Sequence, residues 1–346
     1  MHILIATDAW APQVNGVVNS LKAMTSAAQH QGARFTFITP QHFHTLPMPT
    51  YPDIRLSLVT SRPIGVMIEK SGAEHIHIAT EGPIGLAARA HCQKVKRPFT
   101  TSYHTRFPEY VAARAPIPLS WTYPLMRRFH NSGIGTMVST PSVEADLARR
   151  GFVNLMRWSR GVDHTLFNPS RRVDFGFKGP VFLYVGRVAV EKNIEAFLEL
   201  DLPGSKVVVG DGPARKALEH KYPDAHFLGM KSGEALAQAY ASADVFVFPS
   251  RTDTFGIVLL EALASGLPVA AYPVTGPLDV IGGTQAGCLD ENLHHACMEA
   301  LRIPREAALA LAKTYSWDNS ARQFLQNVEN AHRTSRFSTM SYGSAA

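Results

Sequence analysis

The stretch VFVFPSRTDTFGIVLLEALASGLPVAAY, residues 245–272, decides the fold of this chain. It begins with an apolar run that ends at Phe248, passes through a polar loop, and enters a helical pattern near Gly256. A second apolar run, at 269–272, follows that helix. A strand, a helix and another strand in this order are typical of a parallel sheet, because parallel strands need a crossover connection.

The rest of the chain repeats this alternation of short β-branched runs and longer helical patterns. The strand-like runs form two series, separated by residues 163–180, where Pro and Gly are frequent and periodic positions are few. We predict strands at 3–6, 35–38, 75–78, 99–101 and 136–139 in the first series, and at 181–185, 206–209, 227–228, 245–248 and 269–272 in the second.

The two series predict an α/β protein of two doubly wound, Rossmann-like domains, residues 1–165 and 166–315, that face each other across a cleft. The length of 346 residues agrees with two domains of about 150 residues each. We expect a final helix at 316–331 and a disordered tail at 332–346. Because open parallel sheets bind ligands beyond the carboxyl ends of their strands, the cleft is the expected active site.

Composition excludes several classes of protein. Hydrophobic residues make up 45% and charged residues 18% of the chain, as in a protein with a large core, so disorder and fibrous repeats are excluded. Three scattered cysteines are too few for a disulfide framework or a four-ligand zinc site, and they indicate a reducing compartment. No run approaches the ~20 apolar residues of a membrane span, and no signal peptide is evident. We therefore expect a soluble or peripheral protein, whose formal charge of +6 permits an anionic partner.

The loop and helix start in the opening stretch predict a site for a nucleotide sugar. The first helical turn leaves backbone N–H groups unpaired, which attracts anions, and Gly256 lets a ligand approach the backbone closely. Glu261 shares a helix face with Ile257, where its carboxylate suits the two hydroxyls of a ribose. Asp253 would face a second polyhydroxyl group; simple capping of the helix is the alternative. The donor-binding residues expected here are Thr254, Phe255, Gly256, Ile257, Val258 and Glu261.

A second anion site is predicted after the strand at 181–185, where Gly186 leads into a helical start. Arg187 and Lys192 can place two cations on one diphosphate, and each charge-assisted contact would contribute about 1.5–3 kcal/mol to donor binding. A solvated pair of surface cations is the alternative. The next two strands end at further candidates for donor contacts, namely Gly210, Asp211, Gly212 and Leu228, although the glycine turn could equally be structural.

Polar residues also follow the strands of the first half. Asn15 and Gly16 form a tight turn that exposes backbone amides, but their spacing departs from G-x-G-x-x-G, so we reject a dinucleotide fingerprint. Glu81 follows the third strand. Tyr103, His104 and Arg106 follow the fourth, and a histidine flanked by Tyr and Arg at a cleft mouth is a candidate sugar contact, whereas a lone histidine is usually structural.

Residues 89–130 carry eight Lys or Arg residues against Glu109 alone, interleaved with aromatic residues. This mixture, which includes Trp121, Arg127 and Arg128, suits an anionic membrane surface, at ~1 kcal/mol per cation near that surface. An ordinary solvated face is the alternative. No nucleic-acid motif accompanies the patch, so we expect no nucleic-acid partner.

These motifs together resemble the retaining glycosyltransferases of family 4, which share the GT-B fold, from residue 3 to about residue 328. The matching pieces are PQVNGV at 12–17, SYHT at 102–105, Gly186-Arg187 with Glu191-Lys192, GDGP at 210–213, and Asp253-Thr-Phe-Gly256 with Glu261-Ala. The family typically has Glu where this chain has Asp253; the shorter arm keeps the charge. The resemblance also implies that the last helix crosses back to the first domain, and that no metal or other cofactor is required.

The resemblance implies roles for individual residues. Gly16 would lie beside the diphosphate, and Arg187 and Lys192 would neutralise it. Glu261 would hold the ribose. Asp253, with the amides of residues 255 and 256, would hold the sugar, and His104 would approach the C6 region of that sugar. His104, Arg187, Lys192 and Asp253 are thus the expected catalytic group, and Asn15, Glu81, Tyr103, Arg106, Trp121, Arg127 and Arg128 are assigned to the acceptor or the membrane.

The sequences of the motifs are most similar to those of bacterial transferases that act on lipids. The resemblance implies transfer of a hexosyl unit, with glucose or glucuronic acid favoured, from a UDP-sugar to a lipid such as diacylglycerol, by a cytoplasmic enzyme at the inner face of the membrane. A GDP-mannose-dependent α-mannosyltransferase is the alternative within the family. A sugar-nucleotide epimerase and a non-catalytic sugar-nucleotide binding protein are the alternatives from other classes. The oligomeric state is not evident from the sequence.

Overall fold

The computed structural model describes residues 1–13, 15–48, 51–112 and 117–342. They form two compact units. Unit 1 comprises residues 1–159 together with the chain from Trp317 onward, and unit 2 comprises Arg160–Ser316. The predicted boundary, after residue 165, lies six residues further along the chain.

Unit 1 is built on a six-stranded sheet in which every pairing is parallel. The strands of the whole unit, hairpin included, are β1 (His2–Ala6), β2 (Arg34–Ile38), β3 (Thr45–Met48), β4 (Tyr51–Ser57), β5 (His75–Ile78), β6 (Thr100–Tyr103), β7 (Gly135–Val138) and β8 (Leu155–Arg157). The sheet order is β2-β1-β5-β6-β7-β8, while β3 and β4 form a separate antiparallel hairpin. The order reverses between β1 and β5, and this is the point where an open α/β sheet offers a crevice to ligands.

The helices of unit 1 cover both faces of this sheet. They are α1 (Gly16–His30), α2 (Ser61–Ser71), α3 (Pro83–Lys94), α4 (Phe107–Ala112), α5 (Leu119–His130) and α6 (Pro141–Arg149). Alternate residues of β1 enter opposite layers: Leu4 packs with α2 and α3, and Ile5 packs with α1. All five residues of β1 are buried, because a parallel strand covered on both faces has no solvated side.

Unit 2 repeats the architecture with a second all-parallel sheet. Its strands are β9 (Val181–Val185), β10 (Ser205–Val209), β11 (His226–Phe227), β12 (Val245–Phe248), β13 (Val269–Ala271) and β14 (Gly287–Leu289). Its helices are α7 (Glu195–Leu198), α8 (Arg215–Lys221), α9 (Gly233–Ala241), α10 (Ile257–Ala264), α11 (Pro277–Ile281), α12 (Leu293–Ala300) and α13 (Arg305–Ala312). The sheet order β11-β10-β9-β12-β13-β14 reverses between β9 and β12. The loops that follow β9 and β12 therefore diverge around a topological switch point.

The last helix, α14 (Trp317–Tyr342), belongs to unit 1. Phe324 and Val328 are buried against the β1 face, and the indole Nε1 of Trp158 donates to the Ser320 hydroxyl at 3.0 Å. The helix continues beyond residue 331, where the sequence analysis ended it, because no Gly or Pro occurs between 317 and 342. Residues 343–346 of the expected tail lie outside the described residues. No helix in the part of the chain that the structure describes is long and apolar enough to cross a bilayer.

Candidate functional site

The switch point of unit 2 brings two of the predicted motifs into direct contact. A short 3₁₀ helix, Val190–Lys192, follows β9, and its neighbour Asn193 donates from Nδ2 to the Pro249 carbonyl at 3.1 Å. The Thr252 hydroxyl donates to the Glu191 carbonyl at 3.4 Å. These hydrogen bonds fix the loop after β9 against the loop after β12. They join sequence segments that lie about 60 residues apart.

Lys192 and Asp253 form the central contact of this site. The Lys192 ammonium lies 2.5 Å from Asp253 Oδ1, and both side chains are less than one-fifth exposed. The second oxygen, Asp253 Oδ2, is buried and has no hydrogen-bond partner among the described residues. A buried carboxylate oxygen without a partner is costly, so this oxygen is an available acceptor for a hydroxyl group.

The amide-rich turn begins where helix α10 follows Gly256. Gly256 has φ +81°, and a Cβ at this position would lie 3.1 Å from the Phe248 ring. The backbone conformation therefore favours glycine, and a side chain at this position would also have to displace the Phe248 ring by a few tenths of an ångström. The Phe255 side chain is buried in the core of unit 2, so only its backbone can face a ligand. Thr254, Ile257 and Val258 are half-buried around the same turn. The first N–H groups of any α-helix have no carbonyl partner within their own helix, and α10 begins at Ile257.

Glu261 lies on the second turn of α10 and has a partner that the sequence analysis missed. The Tyr240 hydroxyl, from the end of α9, donates to Glu261 Oε2 at 2.8 Å. Burial raises the pKa of the Glu261 carboxyl to about 7, and the hydrogen bond from Tyr240 opposes that rise. Charge on Glu261 therefore changes near neutral pH, in contrast to an exposed glutamate.

A tyrosine of β9 also holds the loop that follows this strand. The Tyr184 hydroxyl donates to the Arg187 carbonyl at 2.9 Å, which holds the backbone that carries the half-buried Arg187 side chain. Gly186 donates its N–H to the Val209 carbonyl at 3.0 Å. Arg187 and Lys192 thus occupy one short loop beside the switch point, as two cations for one anion would require.

The glycine turn after β10 has a structural reason of its own. A Cβ at Gly210 would lie 1.9 Å from the Gly186 carbonyl oxygen, and a Cβ at Gly212 would lie 2.3 Å from the Val188 carbonyl oxygen. The Asp211 carboxylate accepts from the Gly212 N–H and from Arg215, and these contacts lower its pKa. The structural alternative for this turn thus has direct support from packing.

Leu228, the remaining donor candidate, is half-buried against the core of unit 2. Its N–H donates to the Val208 carbonyl at 2.9 Å.

In unit 1, the loops after β1 and β5 are joined by Asp8, a residue that the sequence analysis did not select. Its carboxylate accepts from the N–H groups of Ile84 and Gly85 and from the Thr80 hydroxyl, at 2.8–3.2 Å. Burial raises the pKa of Asp8, and these hydrogen bonds oppose the rise. Asp8 therefore supplies the acceptor that the start of α3 needs. An acidic residue directly after the first strand was the signal available in the sequence.

Glu81 lies beside Asp8 and is held by a buried histidine. Glu81 Oε1 is 3.0 Å from His130 Nε2, and His130 Nδ1 is 2.8 Å from the Thr101 hydroxyl. His130 is fully buried, while the Glu81 side chain keeps 15% exposure. A carboxylate oriented in this way can present its second oxygen at the switch point of unit 1. Nothing in the local sequence around His130 indicated this contact.

The other first-half candidates occupy different environments. Tyr103 is 1% exposed and packs edge-to-face on Phe152, so its side chain belongs to the core. His104 is half-buried with its ring edge-on to Trp158. Arg106 forms ion pairs at 3.5 Å with Glu109 and Asp146.

The Asn15–Gly16 turn begins helix α1. The Asn15 carboxamide oxygen caps this helix by accepting from the N–H groups of Val17 and Val18 at 3.0 Å. Gly16 is the first residue of the helix.

Helix α5 presents an exposed face that combines apolar and basic side chains. Trp121 is 70% and Leu125 is 64% exposed, and Arg128, also exposed, follows at the spacing that keeps all three on one face. Arg127 donates to the Arg150 carbonyl at 3.1 Å.

Ion pairs reduce the basic excess counted for residues 89–130. Arg97 pairs with Glu69 at 3.2 Å, and the two ion pairs of Arg106 neutralise it within unit 1. Arg114 lies outside the described residues. Within those residues, no group of three or more His, Cys, Asp or Glu side chains could hold a metal ion.

Comparisons with known proteins agree on one family. The family model for "Glycosyltransferase Family 4" matches residues 14–166, and that for "Glycosyl transferases group 1" matches residues 179–302. The chain is similar to GDP-mannose-dependent alpha-mannosyltransferases. It is 29% identical to that of Corynebacterium glutamicum, over 94% of this chain and 88% of the relative, and 30% identical to that of Mycolicibacterium smegmatis, over 84% of each. The alpha-monoglucosyldiacylglycerol synthase of Streptococcus pneumoniae is 26% identical over 87% of this chain and 78% of its own length.

Solved structures give the same fold. Sucrose-phosphate synthase from Thermosynechococcus elongatus superposes with a TM-score of 0.77 at 20% identity, covering 96% of this chain and 99% of that one. Anabaena HepE in complex with UDP-glucose superposes with a TM-score of 0.70 at 14% identity, covering 95% and 100%. The predicted fold class, two Rossmann-like domains with parallel sheets, is confirmed. The chain belongs to the family 4 glycosyltransferases and is a glycosyltransferase of the GT-B fold.

Proposed function

We propose that the protein transfers a hexosyl unit from a nucleotide-diphosphate sugar to a hydroxyl group of a membrane lipid, with retention of the anomeric configuration. The observation that carries the proposal is the Lys192–Asp253 contact of 2.5 Å at the switch point of unit 2. It sets a cation for the diphosphate beside a carboxylate for the sugar. The amide-rich turn before α10 and the Glu261 carboxylate complete a surface with complementary groups for phosphate, sugar and ribose.

The reaction breaks the bond between the anomeric carbon and the β-phosphate oxygen, and the electron pair leaves with the phosphate. Arg187, Lys192 and the N–H groups around Gly256 would stabilise that charge, which is the largest electrostatic demand of the step. The acceptor hydroxyl attacks the anomeric carbon from the face that the diphosphate leaves, and its proton passes to a departing phosphate oxygen. Attack from this face retains the configuration. Asp253 forms an ion pair with the Lys192 ammonium, so donor binding would exchange part of that ion pair for phosphate.

The lipid acceptor is supported by helix α5 and by the comparisons. Trp121 and Leu125 expose apolar area to solvent next to Arg128, and such a face suits the interface of an anionic membrane. The relative from S. pneumoniae is named as an alpha-monoglucosyldiacylglycerol synthase, and its product is a glycolipid by that name. We accordingly propose peripheral association with a membrane surface through α5.

Two donors are proposed, each with its own support. The sequences of the motifs favour a UDP-sugar that carries glucose or glucuronic acid, and the structure of Anabaena HepE was solved in complex with UDP-glucose. GDP-mannose is the second candidate, because the C. glutamicum and M. smegmatis relatives are named for it. Both donors present the same diphosphate and ribose, so the site chemistry above applies to either.

Product analysis tests the proposal. The purified protein is incubated separately with UDP-glucose, UDP-glucuronic acid and GDP-mannose, each labelled in the sugar, and with vesicles that contain diacylglycerol and a bacterial lipid extract. A labelled glycolipid from one donor supports the proposal and identifies that donor. A new sugar nucleotide would instead show an epimerase. Donor binding with no product from any of the lipids would refute lipid glycosylation.

A further inference from the structure

Tyr240 lies outside every motif of the sequence, yet its hydroxyl group reaches the donor site. It stands at the penultimate position of α9, and its side chain is fully buried. The ring packs edge-to-face on Phe167, with centroids 5.7 Å apart, and lies 5.8 Å from the Phe246 ring. These contacts fix the ring in the core of unit 2, so the hydroxyl has one position. That position is 2.8 Å from Glu261 Oε2.

We propose that Tyr240 is a positioning residue for the nucleotide, whose hydroxyl holds one oxygen of Glu261 so that the carboxylate presents the other to the ribose hydroxyls. This inference rests on the proposed function, which assigns Glu261 to the ribose. Tyr240 is the one hydrogen-bond partner of this carboxylate among the described residues. The Glu261 side chain has several rotatable bonds. Because the hydrogen bond to Tyr240 already fixes one carboxylate oxygen, less conformational entropy is lost when the nucleotide binds.

The same contact governs the charge of Glu261. Burial raises the pKa of Glu261 to about 7, and the Tyr240 hydroxyl opposes this because it donates to the charged form. The charged residues on the elements packed against α10 are engaged elsewhere or exposed. Strands β12 and β13 are apolar, Arg305 of α13 binds Asp244, and Glu234 of α9 binds Arg171. The remaining charged residue of α13, Glu306, is exposed. Tyr240 is therefore the group in the described structure that favours an ionised Glu261 at neutral pH.

Removal of the hydroxyl group should make nucleotide binding depend more strongly on pH. A hydrogen bond donated to a carboxylate favours its charged form, so Tyr240→Phe should raise the pKa of Glu261 further. A smaller fraction of Glu261 is then ionised at pH 7. We expect about fivefold weaker nucleotide binding at pH 7 and a difference below about twofold at pH 9. The aromatic ring, and with it the core packing, is unchanged.

Calorimetry on the full chain tests this inference. UDP and GDP are titrated between pH 6 and pH 9, and whichever binds the wild type more tightly is compared with its 2′,3′-dideoxy form. Tyr240→Phe should weaken the ribonucleotide as described and leave the dideoxy nucleotide unaffected. Tyr222→Phe is the matched control, because it also removes a tyrosine hydroxyl that binds a glutamate, Glu195, but on the exposed edge of unit 2. In a Glu261→Gln background, Tyr240→Phe should add no further pH dependence.

The outcomes separate the two hypotheses. If Tyr240→Phe keeps the wild-type affinity and pH profile while Glu261→Gln weakens only the ribonucleotide, the role of Tyr240 is refuted and the ribose assignment stands. If Glu261→Gln also binds both nucleotides like the wild type, the ribose assignment in the proposed function is refuted. An equal loss of affinity for both nucleotides in Tyr240→Phe would show a merely structural effect and would also overturn the inference.

Discussion

Replacement of Glu261 by glutamine should change how the stability of the protein depends on pH. Glutamine keeps the size of the side chain and can still accept from the Tyr240 hydroxyl, but it does not titrate. The interval between the ordinary pKa of 4.5 and the value of about 7 in the folded chain corresponds to about 3 kcal/mol, at ~1.4 kcal/mol per pH unit. This is a large share of the stability of a typical domain.

The direction in which stability changes with pH follows from the protons that the folded and unfolded chains bind. Between pH 4.5 and pH 7 the unfolded chain releases the Glu261 proton while the folded chain keeps it, so the wild type loses stability as pH rises through this range. Below about pH 4.5 the protonated carboxyl is present in both states and the contribution is complete. Glu261→Gln lacks this loss. The free energy of unfolding of the variant, relative to the wild type, should therefore increase by roughly 2–3 kcal/mol between pH 5 and pH 8, most of the full interval.

Urea denaturation at pH 5, 6, 7 and 8, followed by far-ultraviolet circular dichroism, measures this difference. All four tryptophans lie in unit 1, so tryptophan fluorescence follows that unit, whereas circular dichroism also reports unit 2. Glu219→Gln, an exposed change on α8, serves as the control and should give a constant difference from the wild type. Curves for Glu261→Gln and the wild type that stay parallel over the four pH values would refute a pKa near 7.

Three further changes test the remaining parts of the molecule. Lys192→Ala should lower turnover at least tenfold with the circular dichroism spectrum unchanged, whereas Lys216→Ala on the exposed face of α8 should not; near-normal turnover would remove the diphosphate role. Neutralisation of Arg127 and Arg128 to glutamine should weaken sedimentation with anionic vesicles, and binding that is unchanged and independent of salt would contradict the α5 surface. Gly210→Ala should reduce the yield of folded protein, because the new Cβ meets a backbone oxygen at 1.9 Å, and a normal melting temperature would contradict this packing.

The sequence predicted all the central strands of both sheets, because continuous apolar runs identify them, and it also predicted the half-exposed edge strands β2 and β11. Each predicted strand is present within two residues of its expected bounds. The strands it missed lie at edges or carry proline. β8 and β14 have three residues each and end their sheets, and the β3–β4 hairpin contains Pro47, which argues against a strand when read locally.

Site residues that lie together in one loop could be predicted from the sequence. Contacts between residues of two different elements could not. Lys192 and Asp253 were selected as separate motifs, and only the fold shows that they touch. Tyr240 and His130 were missed because each acts on a glutamate from another element, and a buried aromatic residue in a helix is usually core. The Gly210 turn shows the opposite case, since a pattern that resembles a ligand loop is also demanded by backbone packing.

The connection of the last helix has a consequence for synthesis on the ribosome. The chain leaves unit 1 at Ser159 and returns to it at Trp317, so all of unit 2 is translated before the segment that covers the β1 face exists. Until that segment emerges, Ile3 and Ile5 lack the cover that Phe324 and Val328 later provide. The nascent N-terminal half therefore carries an uncovered apolar layer through the translation of about 160 further residues, at ~5–20 residues per second, and such exposed apolar surface is prone to aggregation.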